Sequence, residues 1–299
     1  MKLVFKTPAK INLGLFILGK RPDGYHDLQT LFQMVSLYDT VELESRASGI
    51  ELVCSHPECP TDESNLMVRA ARLLQEAFPD RTDLGVRMTL DKRIPMGAGL
   101  AGGSGNAAGV LRGLNRLWDL QLSLPELSKF AARLGSDIPF FLCAPAALGE
   151  GRGEILTPLQ PPKKFKVILI FPRVFMATAE VYKGLNLDLT KNEKNINILR
   201  EFFSQSNIAG LGAHLHNDLE PFVIQRLPVI RVIEQKLKDL NADGVLLSGS
   251  GSAVFGIFED PQQAEQAFVQ CQCGDWDTFL TETVSSFSEF MPEAVINYP

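Results

Sequence analysis

Apolar and polar positions alternate at the start of the chain, over Lys2–Thr7 and again over Ile11–Ile17. This pattern predicts two extended segments rich in β-branched and aromatic side chains. Asp39–Glu44, Ile50–Cys54 and Val86–Leu90 read as further strands. Between them the apolar spacing lengthens to three and four: Leu66, Ala70, Leu73, Leu74 and Ala77 fall on one face of a helix over Ser64–Phe78, with Ser64 in the capping position. The same spacing predicts helices over Asn106–Trp118 and Pro125–Leu134, the latter opened by Ser123 and stopped by Gly135. Gly149–Gly153 breaks the pattern.

Three prolines within Pro158–Pro162, followed by Lys163 and Lys164, continue neither a helix nor a central strand. A domain boundary is expected there, dividing the chain into 1–157 and 158–299. Beyond it come a strand over Phe165–Phe171, helices near Ala179–Gly184 and over Asp218–Leu240, and a strand–turn–strand signal over Gly244–Phe258. Helices and strands mix throughout and no repeat is visible, so the expected fold is α+β in two domains.

Composition narrows the partners. With 299 residues, 45% hydrophobic and 21% charged, the chain builds a core without disulfides. A net charge of -6 argues against a nucleic-acid duplex or an anionic membrane as main partner, so any phosphate must be held locally. Met1–Lys10 carries three lysines without a signal-length apolar run, and no uninterrupted apolar stretch reaches membrane-spanning length. A soluble, cytoplasmic protein is expected. Cys54, Cys59, Cys143, Cys271 and Cys273 have no framework spacing and fit reduced thiols. Cys54, His56 and Cys59 lack a second ligand pair for zinc and read as loop residues.

The strongest chemical signal is Pro95–Ala108, in which Gly97, Gly99, Gly102, Gly103 and Gly105 run directly into a helix. Glycines let backbone N–H groups approach an anion, and the positive end of the following helix adds to the attraction. A phosphate cradle fits better than a ligand-free turn. Its Gly-Ala-Gly-Leu-Ala-Gly string also matches a dinucleotide fingerprint, but Asp91–Pro95 separates it from the preceding strand. No Gly-Lys-Ser or Gly-Lys-Thr supplies a P-loop.

Several side chains have two readings on sequence alone. Asp137, in a Gly-Ser-Asp-Ile-Pro turn, serves either as a turn cap or as a fixed carboxylate for proton transfer. Lys10, in an apolar run, either snorkels to solvent or points into a cleft. Tyr25 and His26 follow a Pro-Asp-Gly turn and form either a structural pair or a flat face and polar edge for a pyrimidine.

Pro8–Leu13, Pro95–Ala108 and Leu247–Phe255 resemble, in order, the three motifs of the galactokinase, homoserine kinase and mevalonate kinase superfamily. Arg21–His26, Leu134–Phe141 and His216–Glu220 resemble the branch of that family acting on a cytidine-diphosphate-bearing polyol. The resemblance spans nearly the whole chain. It implies an ATP-binding N-terminal domain and a ferredoxin-like C-terminal α/β domain, with the active site in the cleft between them. ATP and Mg2+ are the implied cofactors and a small molecule the partner, in a monomer or weak homodimer. Lys10 and Asp137 are then the catalytic pair. The nucleotide side comprises Pro95, Met96, Gly97, Ala98, Gly99, Leu100, Ala101, Gly102, Gly103, Ser104 and Gly105, together with Asn65, Leu66 and Lys92. Asn12, Tyr25, His26, Thr178 and Tyr182 are the implied substrate contacts. Where the family has paired serines this chain has Ser104 and then Gly105, which leaves the magnesium ligands unassigned. A mevalonate- or homoserine-type kinase, a nicotinamide oxidoreductase and an inactive nucleotide binder are the rival readings.

Overall fold

The two N-terminal extended segments form one strand. In the computed structural model, which describes residues 1–185 and 195–296, β1 (Lys2–Lys20) runs through Pro8. The ladder slips register between Pro8 and Ala9, at an irregularity where a proline is tolerated in a strand. β1 pairs antiparallel along its length with β2 (His26–Arg46), of which the sequence pattern revealed only Asp39–Glu44. Thr30–Val35 of β2 are buried on both faces, which removes the period-two signal.

β3 (Ile50–Cys54), α1 (Leu66–Ala77), β4 (Gly85–Asp91), α2 (Gly102–Leu117), α3 (Leu124–Leu134), α4 (Phe140–Cys143), β5 (Ala146–Glu150) and β6 (Ile155–Pro158) complete the first half. The cap of α1 is Asn65 rather than Ser64: its side-chain oxygen accepts from the Met67 N–H at 2.8 Å. The second half holds β7 (Lys166–Phe171), α5 (Thr178–Lys183), α6 (Ile196–Ser204), α7 (Ile208–Ala213), β8 (His216–Asn217), α8 (Glu220–Arg226) and α9 (Val229–Asp239). It closes with β9 (Gly244–Leu247), β10 (Val254–Phe258), α10 (Pro261–Cys271), β11 (Asp277–Glu282) and α11 (Glu293–Ile296). The single helix expected over Asp218–Leu240 is two, divided at Leu227 and Pro228, because proline has no N–H to continue the helical ladder.

The first sheet has the order β3-β4-β2-β1-β8, with β5 added along β2 and β6 along β5. The second is antiparallel, in the order β11-β7-β10-β9. With its helices this is the ferredoxin-like arrangement expected of the C-terminal half. Pro158 ends β6 of the first sheet and residues 159–162 lead on to the second, yet the halves interlock. β8 returns to pair with Gly14 and Leu15 of β1, and Val284, Phe290, Met291 and Val295 enter the core beneath α1 and α2. A second core, with Ile11, Leu13 and Val35 on one side and Val167, Leu169 and Phe255 on the other, joins the sheets.

Candidate active site

The glycine run brings α2 to the head of a cleft. Ala101, before the helix, has φ 53° and ψ 31°, and no side chain caps the first turn, which also lacks an acidic residue. The leading amides are therefore open to an anion, next to the positive end of the helix. Gly99, at φ +76°, is required on two grounds: the left-handed backbone, and a Cβ there that would lie 2.1 Å from the Ser248 carbonyl oxygen. Ser248 belongs to the turn between β9 and β10. Its hydroxyl donates to the Gly99 carbonyl at 3.1 Å, and the Ala253 N–H donates to the Ala98 carbonyl at 3.0 Å.

The His216–Glu220 string braces that turn from behind. The buried Asn217 amide donates to the carbonyls of Leu247 at 3.0 Å and Gly249 at 2.7 Å. Glu220 accepts from the Leu247 N–H at 2.8 Å, and burial with a second carboxylate nearby, Glu234, pushes it up to about 8. Asp218 accepts from the Ile17 N–H at 2.7 Å and meets the His216 ring at 2.7 Å. This string fixes backbone rather than lining the cleft.

Lys10 and Asp137 meet beneath the glycine run. The ammonium is 4% exposed, donates to Asn12 Oδ1 at 2.7 Å and the Gly99 carbonyl at 2.8 Å, and lies 3.8 Å from Asp137 Oδ2. Burial lowers the Lys10 pKa, and the Asp137 carboxylate opposes that shift. Asp137, on the turn between α3 and α4, stays 35% exposed and so is open to the cleft. The Asn12 amide donates to Thr30 Oγ1 at 2.7 Å, and the Thr30 hydroxyl to the Gly14 carbonyl at 2.7 Å. The lysine is thus held by a chain of bonds across β1 and β2.

At the other end Tyr25 and His26 project from the turn between β1 and β2. The His26 and Tyr182 rings are 5.5 Å apart between centroids and inclined at 32°. Burial, then Lys20, lowers the His26 pKa, which favours the neutral ring with one donor and one acceptor. Burial, then the charge of Asp137, raises the Tyr182 pKa, so its hydroxyl stays protonated. The Thr178 and Ser250 hydroxyls, 2.9 Å apart, join α5 to the turn between β9 and β10.

Lys10, Asn12, Tyr25, His26, Asn65, Leu66, Lys92, Asp137, Thr178, Tyr182 and most of the glycine run line one cleft of about 1190 Å³. Leu100 and Gly105 do not. Leu100 packs into the core between the sheets. A Cβ on Gly105 would lie 2.8 Å from the Pro8 carbonyl oxygen, so this residue lets α2 approach β1. Lys92 is committed to a buried pair with Asp39 at 2.6 Å and to the Ile94 carbonyl at 2.7 Å. Asp39 also accepts from the N–H groups of Arg93 and Ile94, at 2.7 and 2.8 Å, and so holds the segment leading into the glycine run.

Asp137 is the one carboxylate among the described lining residues, against Lys10, Lys20, Lys92, Arg133, Arg152 and Lys183. A chain of net charge -6 has thus gathered cations locally. Lys20, Arg152 and Lys183, with Gly249 and Ser250, were not assigned from sequence. The third glycine-rich motif was the available signal for the last two, whereas Arg152 lay inside a stretch read only as a break. The oxidoreductase fingerprint loses its context: β4 ends at Asp91, well before Gly97, and pairs antiparallel with β2. Among the described residues no group of three or more His, Cys, Asp or Glu is placed to hold a metal, and no helix is long and apolar enough to cross a membrane.

A glycine-lined helix N-terminus facing a ferredoxin-like half across a cationic cleft defines a kinase of the GHMP type. Residues 65–144 match the GHMP kinases N terminal domain and residues 199–274 the GHMP kinases C terminal model. Two relatives called 4-diphosphocytidyl-2-C-methyl-D-erythritol kinase are similar over most of their length. The one from Acetivibrio thermocellus is 37% identical over 279 residues, covering 93% of this chain and 98% of the relative. That from Desulfotalea psychrophila is 44% identical over 260 residues, covering 86% of each. A crystal structure of 4-(cytidine 5'-diphospho)-2C-methyl-D-erythritol kinase superposes with a TM-score of 0.81 at 34% identity, covering 96% of this chain and all of that one. The chain belongs to the 4-diphosphocytidyl-2-C-methyl-D-erythritol kinase family.

Proposed function

We propose that this ATP-dependent enzyme phosphorylates the 2-hydroxyl of 4-diphosphocytidyl-2-C-methyl-D-erythritol, a step in the non-mevalonate route to isoprenoid precursors. The observation that carries the reading is the buried Lys10 ammonium, bonded to Gly99 of the glycine run and 3.8 Å from Asp137, in the cleft that also holds Tyr25, His26 and Tyr182. Phosphoryl transfer needs positioning, charge neutralisation and a base for the hydroxyl proton.

In this mechanism the open amides at the start of α2 hold the ATP phosphates, and Asn65, Leu66 and Lys92 border the adenine. Asp137 accepts the hydroxyl proton as the substrate oxygen bonds to the γ-phosphorus and the bond to the ADP oxygen breaks. Lys10 fixes the Asp137 carboxylate and offsets negative charge on the transferring group. Tyr25 and Tyr182 stack on the cytosine, His26 reads its edge, and Asn12 and Thr178 supply polar contacts. Magnesium ordinarily keeps several waters and binds largely to substrate phosphates, and the Ser104 hydroxyl on the cleft wall would be available to it while Asp137 serves as the base. When bound, it neutralises phosphate charge. A cytoplasmic monomer or weak homodimer completes the proposal.

Mevalonate or homoserine gives a base-stacking pair nothing to hold. An ATP-consumption assay across the cytidine-diphosphate compound, mevalonate and homoserine tests the reading. Turnover with the first alone is expected, and turnover with either of the others instead would overturn it.

A further inference from the structure

Tyr25 presents an unusual problem for a stacking residue. It lies on the tip of the turn between β1 and β2, is 56% exposed, and in isolation its ring would be free to swing. Its neighbour across the cleft wall is Arg152, whose guanidinium carbon lies 4.7 Å from the centre of the Tyr25 ring. Arg152 sits on the turn between β5 and β6, flanked by Gly151 and Gly153 at φ +68° and +103°. That turn is fixed to the hairpin: the Gly151 carbonyl accepts from the Leu28 N–H at 2.7 Å, and Gln29 Nε2 donates to Glu150 at 3.1 Å. Glu154 accepts from the Arg152 backbone N–H at 2.6 Å, and another of its oxygens lies 3.6 Å from Nε of the same guanidinium. The arginine is aimed at both ends, by its backbone and by its head.

We infer that Arg152 is a positioning residue for the base pocket, a cationic plate that holds the Tyr25 ring upright on one face so that the other is presented to the pyrimidine. Guanidinium planes stack on aromatic rings and stay charged at every physiological pH, so the support is permanent. The resulting order is guanidinium, Tyr25, base. This rests on the proposed cytidine pocket and adds to it a residue that acts through Tyr25 rather than on the phosphates.

The test is a double-mutant cycle read as the KM for the cytidine-diphosphate substrate and for ATP, with kcat measured separately. Exposed to partly desolvated cation–π contacts are worth enough that Arg152→Ala is expected to raise the KM for the cytidine substrate about two- to thirty-fold. The KM for ATP should stay within about two-fold. Arg152→Lys, which keeps the charge but not the planar face, should recover only part of the loss. In a Tyr25→Ala background, removing Arg152 should add nothing. If Tyr25→Ala raises KM while Arg152→Ala does not, the inference falls and the pocket stands. Equal effects of Arg152→Ala in both backgrounds would place the arginine on the substrate directly and also overturn it. If neither single variant changes use of the cytidine substrate, the base pocket itself is wrong.

Discussion

At the phosphate end of the cleft Lys10 is 4% exposed and held by two hydrogen bonds, whereas at the base end Tyr25 is 56% exposed on the tip of a hairpin. Two glycine-rich turns and β1 converge on the first, and Gly99 touches Ser248 so closely that no side chain fits. Ring contacts hold the second, His26 on Tyr182 and Arg152 on Tyr25. The two kinds of chemistry account for the difference. Charge developing on a phosphoryl group is stabilised by dipoles fixed beforehand in a site that excludes water, so small displacements are costly. Stacking on a base varies little with small slides of the ring, so a hairpin tip serves. Substitutions at the first end should therefore act on turnover and those at the second on substrate KM.

The largest expected effect is Asp137→Asn, which keeps the shape but cannot take the hydroxyl proton. Loss of a positioned base costs roughly 10²–10⁴-fold in kcat. The KM for ATP should change only a few-fold, and near-normal turnover would remove Asp137 from the chemistry. Lys10→Met should likewise lower kcat. A purely structural lysine would instead show a lower melting temperature, with normal activity in the folded fraction.

Gly99→Ala comes next, because the added Cβ meets the Ser248 carbonyl oxygen at 2.1 Å and the residue keeps φ +76°. Both ATP affinity and thermal stability should fall, by about tenfold or more and by several degrees. Gly103→Ala is the matched control for stability: its Cβ would meet only Leu66, at 3.8 Å, so the melting temperature should hold or rise slightly. Equal melting temperatures for the two variants would contradict the junction between the glycine run and the β9–β10 turn.

At the base end Tyr182→Ala should raise the KM for the cytidine substrate roughly five- to a hundred-fold, given about 1–3 kcal/mol per stacked base. The ATP constant should barely move. His26→Ala should instead narrow the preference for the cytidine over a uridine analogue, since it removes edge bonds rather than a face. If both variants shift both compounds together, the two residues do not divide the work.

The same contrast decided what could be read from the residues. The glycine run was legible because its composition and its requirement for close backbone approach are the same fact, and the helix after it has ordinary apolar spacing. β1 and β2 were legible only in pieces. Pro8 sits at a register slip, and Thr30–Val35 are buried on both faces, so neither strand shows continuous alternation. The motif placed Leu100 and Gly105 with their cleft-facing neighbours, although one faces the core and the other β1. One-dimensional order carries no information about which side of a loop meets the cleft. α10 carries a start signal that went unread, Asp260 capping the Gln262 N–H with Pro261 at the first position. Arg152 had no such signal, because its meaning depends on a turn distant in sequence coming to rest against Tyr25.

The smallest expected effect concerns stability and pH, and it separates the two ends once more. Glu220 holds the Leu247 N–H behind the phosphate end, and burial first, then Glu234, pushes its carboxyl up to about 8. The folded protein therefore keeps a proton that the unfolded chain releases near pH 4.5, the ordinary value for glutamate. Stability from this site is full below pH 4.5, declines as pH rises towards 8, and is flat above that. Glu234→Gln removes the neighbouring charge and leaves the burial, so it should shallow the decline without abolishing it. A gain on the order of 1 kcal/mol at pH 8.5 corresponds to about 1–2 °C in melting temperature, with no change at pH 4.5. The Lys238 ammonium, 3.9 Å from Glu234, loses its partner in the variant, which trims the gain but does not reverse it, since that pair is largely exposed on the lysine side. Tyr182→Ala, remote from this pair and with a hydroxyl that stays protonated throughout, should leave the slope between pH 5 and 8 unchanged. A melting curve for Glu234→Gln that tracks the parent at every pH would mean that Glu234 does not act on Glu220 behind the glycine-rich turn.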